Sequence, residues 1–222
     1  MDKILIVSAH ADDETFGMGG TMLKYASDGK CKLYWLIATQ IWTPKWTEDQ
    51  INSRQKAIDS ISNLIKFEDV VKWKFKDNLL DTVSKNELQE KLIKVLDTIK
   101  PSIIFTPSYW DFNFEHRLIC EIVEMSTKVY YSKYIEEIIA YEIPSSTEVS
   151  FPTHRNFPVN YYVDISEFID KKIELINYYD TECHEFPHPR SGEYIRVLAR
   201  KRGAESGLNY AEGFHLLRRI KK

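Results

Sequence analysis

The chain has little cysteine, glycine or proline: its 222 residues include 3 Cys, 8 Gly and 8 Pro. Cys31, Cys120 and Cys183 lie far apart, which argues against a disulfide framework and a cysteine-based metal site and fits reduced thiols in a cytoplasm. With 43% hydrophobic and 13% aromatic residues, the composition excludes a disordered or low-complexity chain. No apolar run approaches the ~18 residues of a membrane span, and the start lacks a charged region leading into a long apolar segment. A soluble, cytoplasmic protein without a membrane span is expected. The net charge of −3 provides no basic field for nucleic acid or an anionic membrane. There is no internal repeat or linker, so residues 1–222 read as one domain.

What the chain does have is concentrated near its start. Ile4 to Glu14, I-L-I-V-S-A-H-A-D-D-E, begins as a continuous aliphatic run, the pattern of a strand buried on both faces. It then places His10, Asp12, Asp13 and Glu14 within five residues, where an α/β sheet presents its reactive loops. Carboxylates there can simply cap a helix. Four ionisable groups exceed what capping needs, and imidazole and carboxylate are both good zinc ligands. His10 and Asp13 are the candidate pair.

Helices are predicted over Thr15–Ser27, stopped by Gly29, over Glu48–Ile65, over Lys85–Ile99, and from about His116 to Tyr130. Strands are predicted at Cys31–Thr39, Val70–Phe75 and Ser102–Thr106. This alternation predicts an α/β protein, a Rossmann-like three-layer α/β/α arrangement with a mostly parallel sheet. The last third breaks the alternation. Strands are read at Glu137–Glu142 and Val159–Asp164, a helix capped by Ser166 runs to Tyr179, and a short helix spans about Gly192–Arg202. A C-terminal cap region over the site is the simplest reading of this part. A catalytic zinc site takes three protein ligands and leaves one position open. The fourth strand of such a sheet commonly lies beside the first, so His116 qualifies by position as the third ligand.

These residues carry a resemblance. A-H-A-D-D-E at 9–14 is similar to the A-H-P-D-D-E signature of the PIG-L/LmbE-like zinc N-deacetylases, the superfamily of N-acetylglucosaminyl-phosphatidylinositol de-N-acetylase. The likeness continues through G-M-G-G-T, Arg54, D-N-L-L-D at 77–81, N-F-E-H at 113–116 and R-G-A-E-S-G-L-N-Y-A-E-G-F at 202–214. It implies that His10, Asp13 and His116 ligate Zn²⁺, with Fe²⁺ as the alternative metal. It also implies that Asp12 is the general base and that metal-bound water attacks the acetyl carbon of an N-acetylglucosamine-like sugar or glycoconjugate. Symmetric homo-oligomers are a further implication.

The chain departs from the pattern at Ala11, where proline is usual, at Glu115, where aspartate is usual, and at Asn113, where many members carry a histidine. An amide donates a hydrogen bond but delivers no proton. His188, or failing it His184, is therefore the candidate replacement from the segment H-E-F-P-H-P-R. Trp42 in a Trp-rich loop is the candidate sugar wall, and Arg54 and Arg190 are candidate donors to sugar hydroxyls or phosphate. Two other readings stand beside this one. Gly17, Gly19 and Gly20 could cradle a nucleotide's phosphates, although the spacing is not that of a dinucleotide fingerprint. The Asn113 departure would also suit a metal-binding protein without turnover.

Overall fold

The computed structural model describes residues 1–151 and 156–221. Its strands form one seven-stranded sheet in the order β3-β2-β1-β4-β5-β7-β6. The aliphatic run becomes β1 (Asp2–Ser8), buried from Ile4 onward and paired in parallel with β2 (Cys31–Gln40) on one side and β4 (Ile103–Pro107) on the other. Beyond these lie β3 (Asp69–Lys76), also parallel, and β5 (Glu137–Tyr141), parallel to β4. The chain order reverses between β1 and β4, and in open α/β sheets such a switch point opens a crevice at the carboxyl ends of the strands.

Helices α1 (Asp13–Asp28), α2 (Glu48–Ile65), α5 (Ile169–Ile176) and α6 (Gly192–Ser206) cover one face, sharing a core of Ile4, Ile6, Met18, Ile61, Leu175 and Ala199. Helices α3 (Lys85–Ile99) and α4 (Phe114–Ser126) cover the other, packing Leu88, Leu92, Ile119 and Val123 on Leu5 and Val7. Local chemistry sets the helix ends. Thr47 and Gln50 form a reciprocal capping box on α2, Ser84 caps α3, and Gly29 ends α1 in the left-handed conformation at φ 60°.

Two features of the last third differ from the sequence reading. The closing segment, read only as a motif, is a strand: β7 (Ala211–Arg219) inserts antiparallel between β5 and β6 (Tyr161–Asp164). Much of the last third therefore extends the sheet, while Glu182 and Arg190 reach the crevice. Ser166 does not cap α5. Its hydroxyl donates to Asp164 Oδ1 at 2.6 Å and accepts from the Tyr210 amide at 3.1 Å, so the connection between β6 and β7 holds it and the helix begins at Ile169.

The glycines of α1 have a packing reason. A Cβ on Gly17 would lie 2.5 Å from Tyr141 Cδ2 and 2.7 Å from the Glu142 carbonyl, and one on Gly20 would lie 2.8 Å from Ile165. The amides of Gly20 and Thr21 donate to Glu212, whose charge Lys172 Nζ meets at 2.7 Å. A protein carboxylate thus occupies the place a phosphate would take in the nucleotide reading. Gly17→Ala is expected to destabilise the fold by about 1–3 kcal/mol through overpacking, seen as a lower urea midpoint. Lys172→Met strands the buried Glu212 carboxylate and should remove about 3–5 kcal/mol; an unchanged midpoint would contradict the ion pair's place in the fold.

Candidate metal centre and active site

The loops after β1 and β4 meet at the switch point. His10 Nδ1 lies 3.2 Å from His116 Nε2 and 3.5 Å from Asp13 Oδ1, which is 3.1 Å from His116 Nε2. Zinc bonds of ~2.0–2.1 Å in a tetrahedron place ligand atoms about 3.3 Å apart, close to all three separations. Asp13 Oδ1 is buried and, although both imidazoles are near, accepts no hydrogen bond. Its partner oxygen Oδ2 is taken by the His10 amide at 2.8 Å. One unengaged carboxylate oxygen facing two ring nitrogens fits a cation between them, and these three residues form a group able to hold a metal ion.

The outer atoms of the cluster are held as metal ligands require. His116 Nδ1 faces Asp111 Oδ1 at 3.1 Å, and Asp111 accepts from the hydroxyls of Ser146 and Thr147. His10 Nε2 meets Glu115 Oε2 at 2.6 Å, and Glu115 also accepts from the amides of Asn78 and Leu80 at 3.0 and 2.9 Å. Burial alone would raise the Glu115 carboxyl, but the His10 contact and the two amides hold it below its ordinary range. Burial likewise would lower His116, yet Asp13 and Asp111 lift it to about 9, and His10 is raised above its usual value, with Asp13 and Glu115 outweighing desolvation.

In the metal-free protein His116 is therefore protonated at neutral pH, and metal loading must displace that proton. Mixing zinc with metal-free protein at pH 7 in weak buffer should release the His116 proton, less of it as the pH rises toward 9. The sign for stability follows from the raised His116 value. Its contribution in the metal-free protein is complete below about pH 6.5 and is lost as the pH climbs through about 9.

Asp12 stands beside the cluster without joining it. It is the N-cap of α1, its carbonyl accepting the amides of Thr15 and Phe16, but its side chain makes no capping bond. The capping explanation of these carboxylates thus fails at the residue where it should hold best. Asp12 Oδ1 is buried and unpaired, and Oδ2 accepts from Arg190 Nη1 at 2.7 Å. Arg190 also donates to Glu182 Oε2 at 2.6 Å and to Ser145 Oγ at 2.9 Å. Arg54 is bound to the other oxygen of Glu182 and to Thr181 Oγ1. Both arginines line the cavity, yet both are engaged by protein acids.

The remaining predicted residues separate. Asn113 lines the cavity and caps α4, its Oδ1 accepting the Glu115 amide at 2.9 Å, which leaves its amide nitrogen as a donor. Trp42 lines it as well, with Lys76 Nζ 4.1 Å from its ring centre. His188 is not in the cavity wall. Its ring packs on His184, 4.1 Å between centroids, and its Nδ1 accepts the Arg190 amide at 3.1 Å, bracing the turn that carries Arg190. Sequence reasoning did not single out Asp111, Glu182, Ser146 or Thr147. Asp111 sits five residues before His116, and a carboxylate so near a candidate zinc histidine was the one available signal.

The cavity measures about 840 Å³ and joins the metal cluster to Trp42, Trp46 and Phe112, within the ~300–1,000 Å³ of small-molecule sites. Fold and site together define a three-layer α/β protein with His10, Asp13 and His116 grouped so that they could hold a metal ion, and Asp12 beside them, at its switch point. The chain belongs to the PIG-L family, described as GlcNAc-PI de-N-acetylase, which residues 5–126 match.

Among its relatives is diacetylchitobiose deacetylase of Thermococcus kodakarensis, 24% identical over 97% of this chain and 83% of that protein. N,N'-diacetylchitobiose deacetylase of Pyrococcus horikoshii has a similar structure, with a TM-score of 0.75, 21% identity, and coverage of 98% of this chain and 84% of the other. So does GalB of Pseudomonas putida KT2440, a 4-carboxy-2-hydroxymuconate hydratase, with a TM-score of 0.78, 18% identity, and coverage of 100% and 99%. Since deacetylases and a hydratase share the fold, the chemistry must be argued from the site. No helix among the described residues is long and apolar enough to cross a membrane.

Proposed function

We propose that this protein is a zinc-dependent amide hydrolase that removes the N-acetyl group from an N-acetylglucosamine-like sugar or glycoconjugate. The observation that carries the reading is the convergence of His10 Nδ1, Asp13 Oδ1 and His116 Nε2 at 3.1 to 3.5 Å, with Asp12 buried beside them. Family membership and the deacetylase relatives support it. When bound, the ion supplies a Lewis acid for the acetyl carbonyl and lowers the pKa of a nearby water.

The protein's own groups do the rest. Arg190 orients Asp12 through Oδ2, leaving Oδ1 to take the proton of the attacking water. The same carboxyl then returns that proton to the leaving nitrogen, so amine and acetate separate without an imidazole at position 113. The Asn113 amide donates toward the carbonyl oxygen as charge develops there. Trp42 provides a stacking face for the sugar ring. His188 acts at one remove by fixing the Arg190 turn, so His188→Ala should slow turnover far less than Asp12→Asn. Equal losses in the two would return the proton-donor role to His188.

The test is acetate release from a panel of N-acetyl sugars by zinc-loaded protein. Appearance of acetate with stoichiometric free amine supports the reading; a panel-wide absence of acetate from fully loaded protein removes it. Water addition to an unsaturated dicarboxylic acid supplied in a separate assay, with no acetate from the sugars, would favour the hydratase chemistry instead.

A further inference from the structure

Two arginines and two acids alternate along one side of the cavity. Arg54 Nη2 donates to Glu182 Oε1, Glu182 Oε2 accepts from Arg190 Nη1 at 2.6 Å, and the same Nη1 donates to Asp12 Oδ2 at 2.7 Å. All four residues line the cavity. Each guanidinium lies over a buried ring, Arg54 at 5.4 Å from the centre of Tyr179 and Arg190 at 4.9 Å from that of Phe16, a contact that suits a cation. The segment carrying Glu182 is tied to α2, with Ser53 Oγ donating to Asp180 Oδ1 at 3.2 Å and Arg54 Nη2 to Thr181 Oγ1 at 3.3 Å.

The two acids are not equivalent. Both oxygens of Glu182 are taken, whereas Asp12 has only Oδ2 engaged and keeps Oδ1 buried without a partner. A buried carboxylate oxygen left unpaired attracts any charged donor within reach. Arg54 is such a donor. Burial would lower it, but the charge of Asp12, and then that of Glu182, raises it above its usual value. Its guanidinium thus feels two carboxylates and is bonded to one. Asp77, the third acid of the wall, is paired with Lys45 at 2.9 Å. Taking Glu182 away would leave Asp12 as the acid that both arginines share.

We propose that Glu182 is a positioning residue for the general base: by holding Arg54 and Arg190 at once, it keeps Arg54 off Asp12 Oδ1, the oxygen that receives the water's proton. The proton-accepting role of Oδ1 rests on the deacetylase reading; the placement of the arginines does not.

The experiment compares zinc-loaded unaltered, Glu182→Gln and Glu182→Gln/Arg54→Met proteins by kcat for acetate release and by crystallography. In Glu182→Gln the zinc content should stay full, kcat should fall by about a hundredfold as the general base is blocked, and Arg54 should lie within hydrogen-bond distance of Asp12 Oδ1. Adding Arg54→Met removes the intruding cation. Then kcat should climb back by about tenfold, a gain from a second substitution that a merely structural Glu182 would not give. Glu182→Asp keeps the charge but is too short to span both arginines; if Glu182→Gln does not fold, it should show the same loss and the same recovery. An unchanged kcat, or a loss that Arg54→Met does not relieve, overturns the proposal. If the unaltered protein releases no acetate, crystallography decides alone. Arg54 moved onto Asp12 in Glu182→Gln would keep the positioning role while the deacetylase reading falls, and Arg54 left in place would sink the proposal by itself.

Discussion

His116→Ala protein should bind no stoichiometric zinc and should release acetate about a thousandfold more slowly, or worse, than the unaltered protein. The reasoning starts from three converging atoms. Removing the buried ring leaves His10 Nδ1 and Asp13 Oδ1, two ligands where a catalytic site needs three. The carbonyl polarisation that goes with the metal is worth several kcal/mol, and about 4 kcal/mol is about a thousandfold in rate. His10→Ala and Asp13→Ala should behave alike, because the three residues act as one unit and their effects do not add. Asp111→Asn should be milder, at about 10–100-fold in zinc affinity, since it touches the metal only through His116 Nδ1. Zinc content by elemental analysis beside acetate release checks the series. Full zinc occupancy in His116→Ala would show that the metal lies elsewhere.

Asp12→Asn gives the second large effect, and of a different kind. Zinc should stay bound, because Asp12 lies outside the His10, Asp13 and His116 group, while kcat should fall by about 10²–10⁴, the range of a lost general acid–base group. The neutral amide keeps the shape of the residue and still accepts from Arg190, so folding should be preserved. Zinc content and kcat must therefore separate in this variant, whereas they fall together in the ligand variants. An Asp12→Asn protein with near-normal turnover would mean that another group takes the water's proton.

Much of this was legible from the residues, and the part that was not has identifiable causes. The unbroken run Ile4–Val7 announced a central strand because burial on both faces leaves no alternation, and β1 does sit between β2 and β4. The nearness of His116 to His10 followed from the strand order alone. Strand β7 escaped because its Glu212 and Gly213 interrupt an apolar pattern for reasons that lie in other elements. Glu212 answers the α1 amides and Lys172, and Gly213 makes room for Arg202, whose Cδ would lie 2.9 Å from an added Cβ.

Ser166 looked like a cap because a serine before an apolar run usually is one; its hydroxyl instead donates to Asp164 and accepts from the Tyr210 amide, and the second partner, 44 residues on, is not visible locally. At the site, the pairing of Arg190 with Asp12 joins residues 178 positions apart. Sequence suggested His188 for its imidazole, but folding turned that ring onto His184 and sent the neighbouring arginine inward. Side-chain direction within a turn is set by its own hydrogen bonds, here His188 Nδ1 accepting the Arg190 amide, and no residue pattern reports that.

The most direct measurement is anomalous diffraction at the zinc edge from crystals of the zinc-loaded protein. The account predicts a single strong peak within about 2.0–2.2 Å of His10 Nδ1, an Asp13 carboxylate oxygen and His116 Nε2, with Asp12 uncoordinated. A peak bound through Asp12, or one that leaves His116 out of its ligand set, would contradict it.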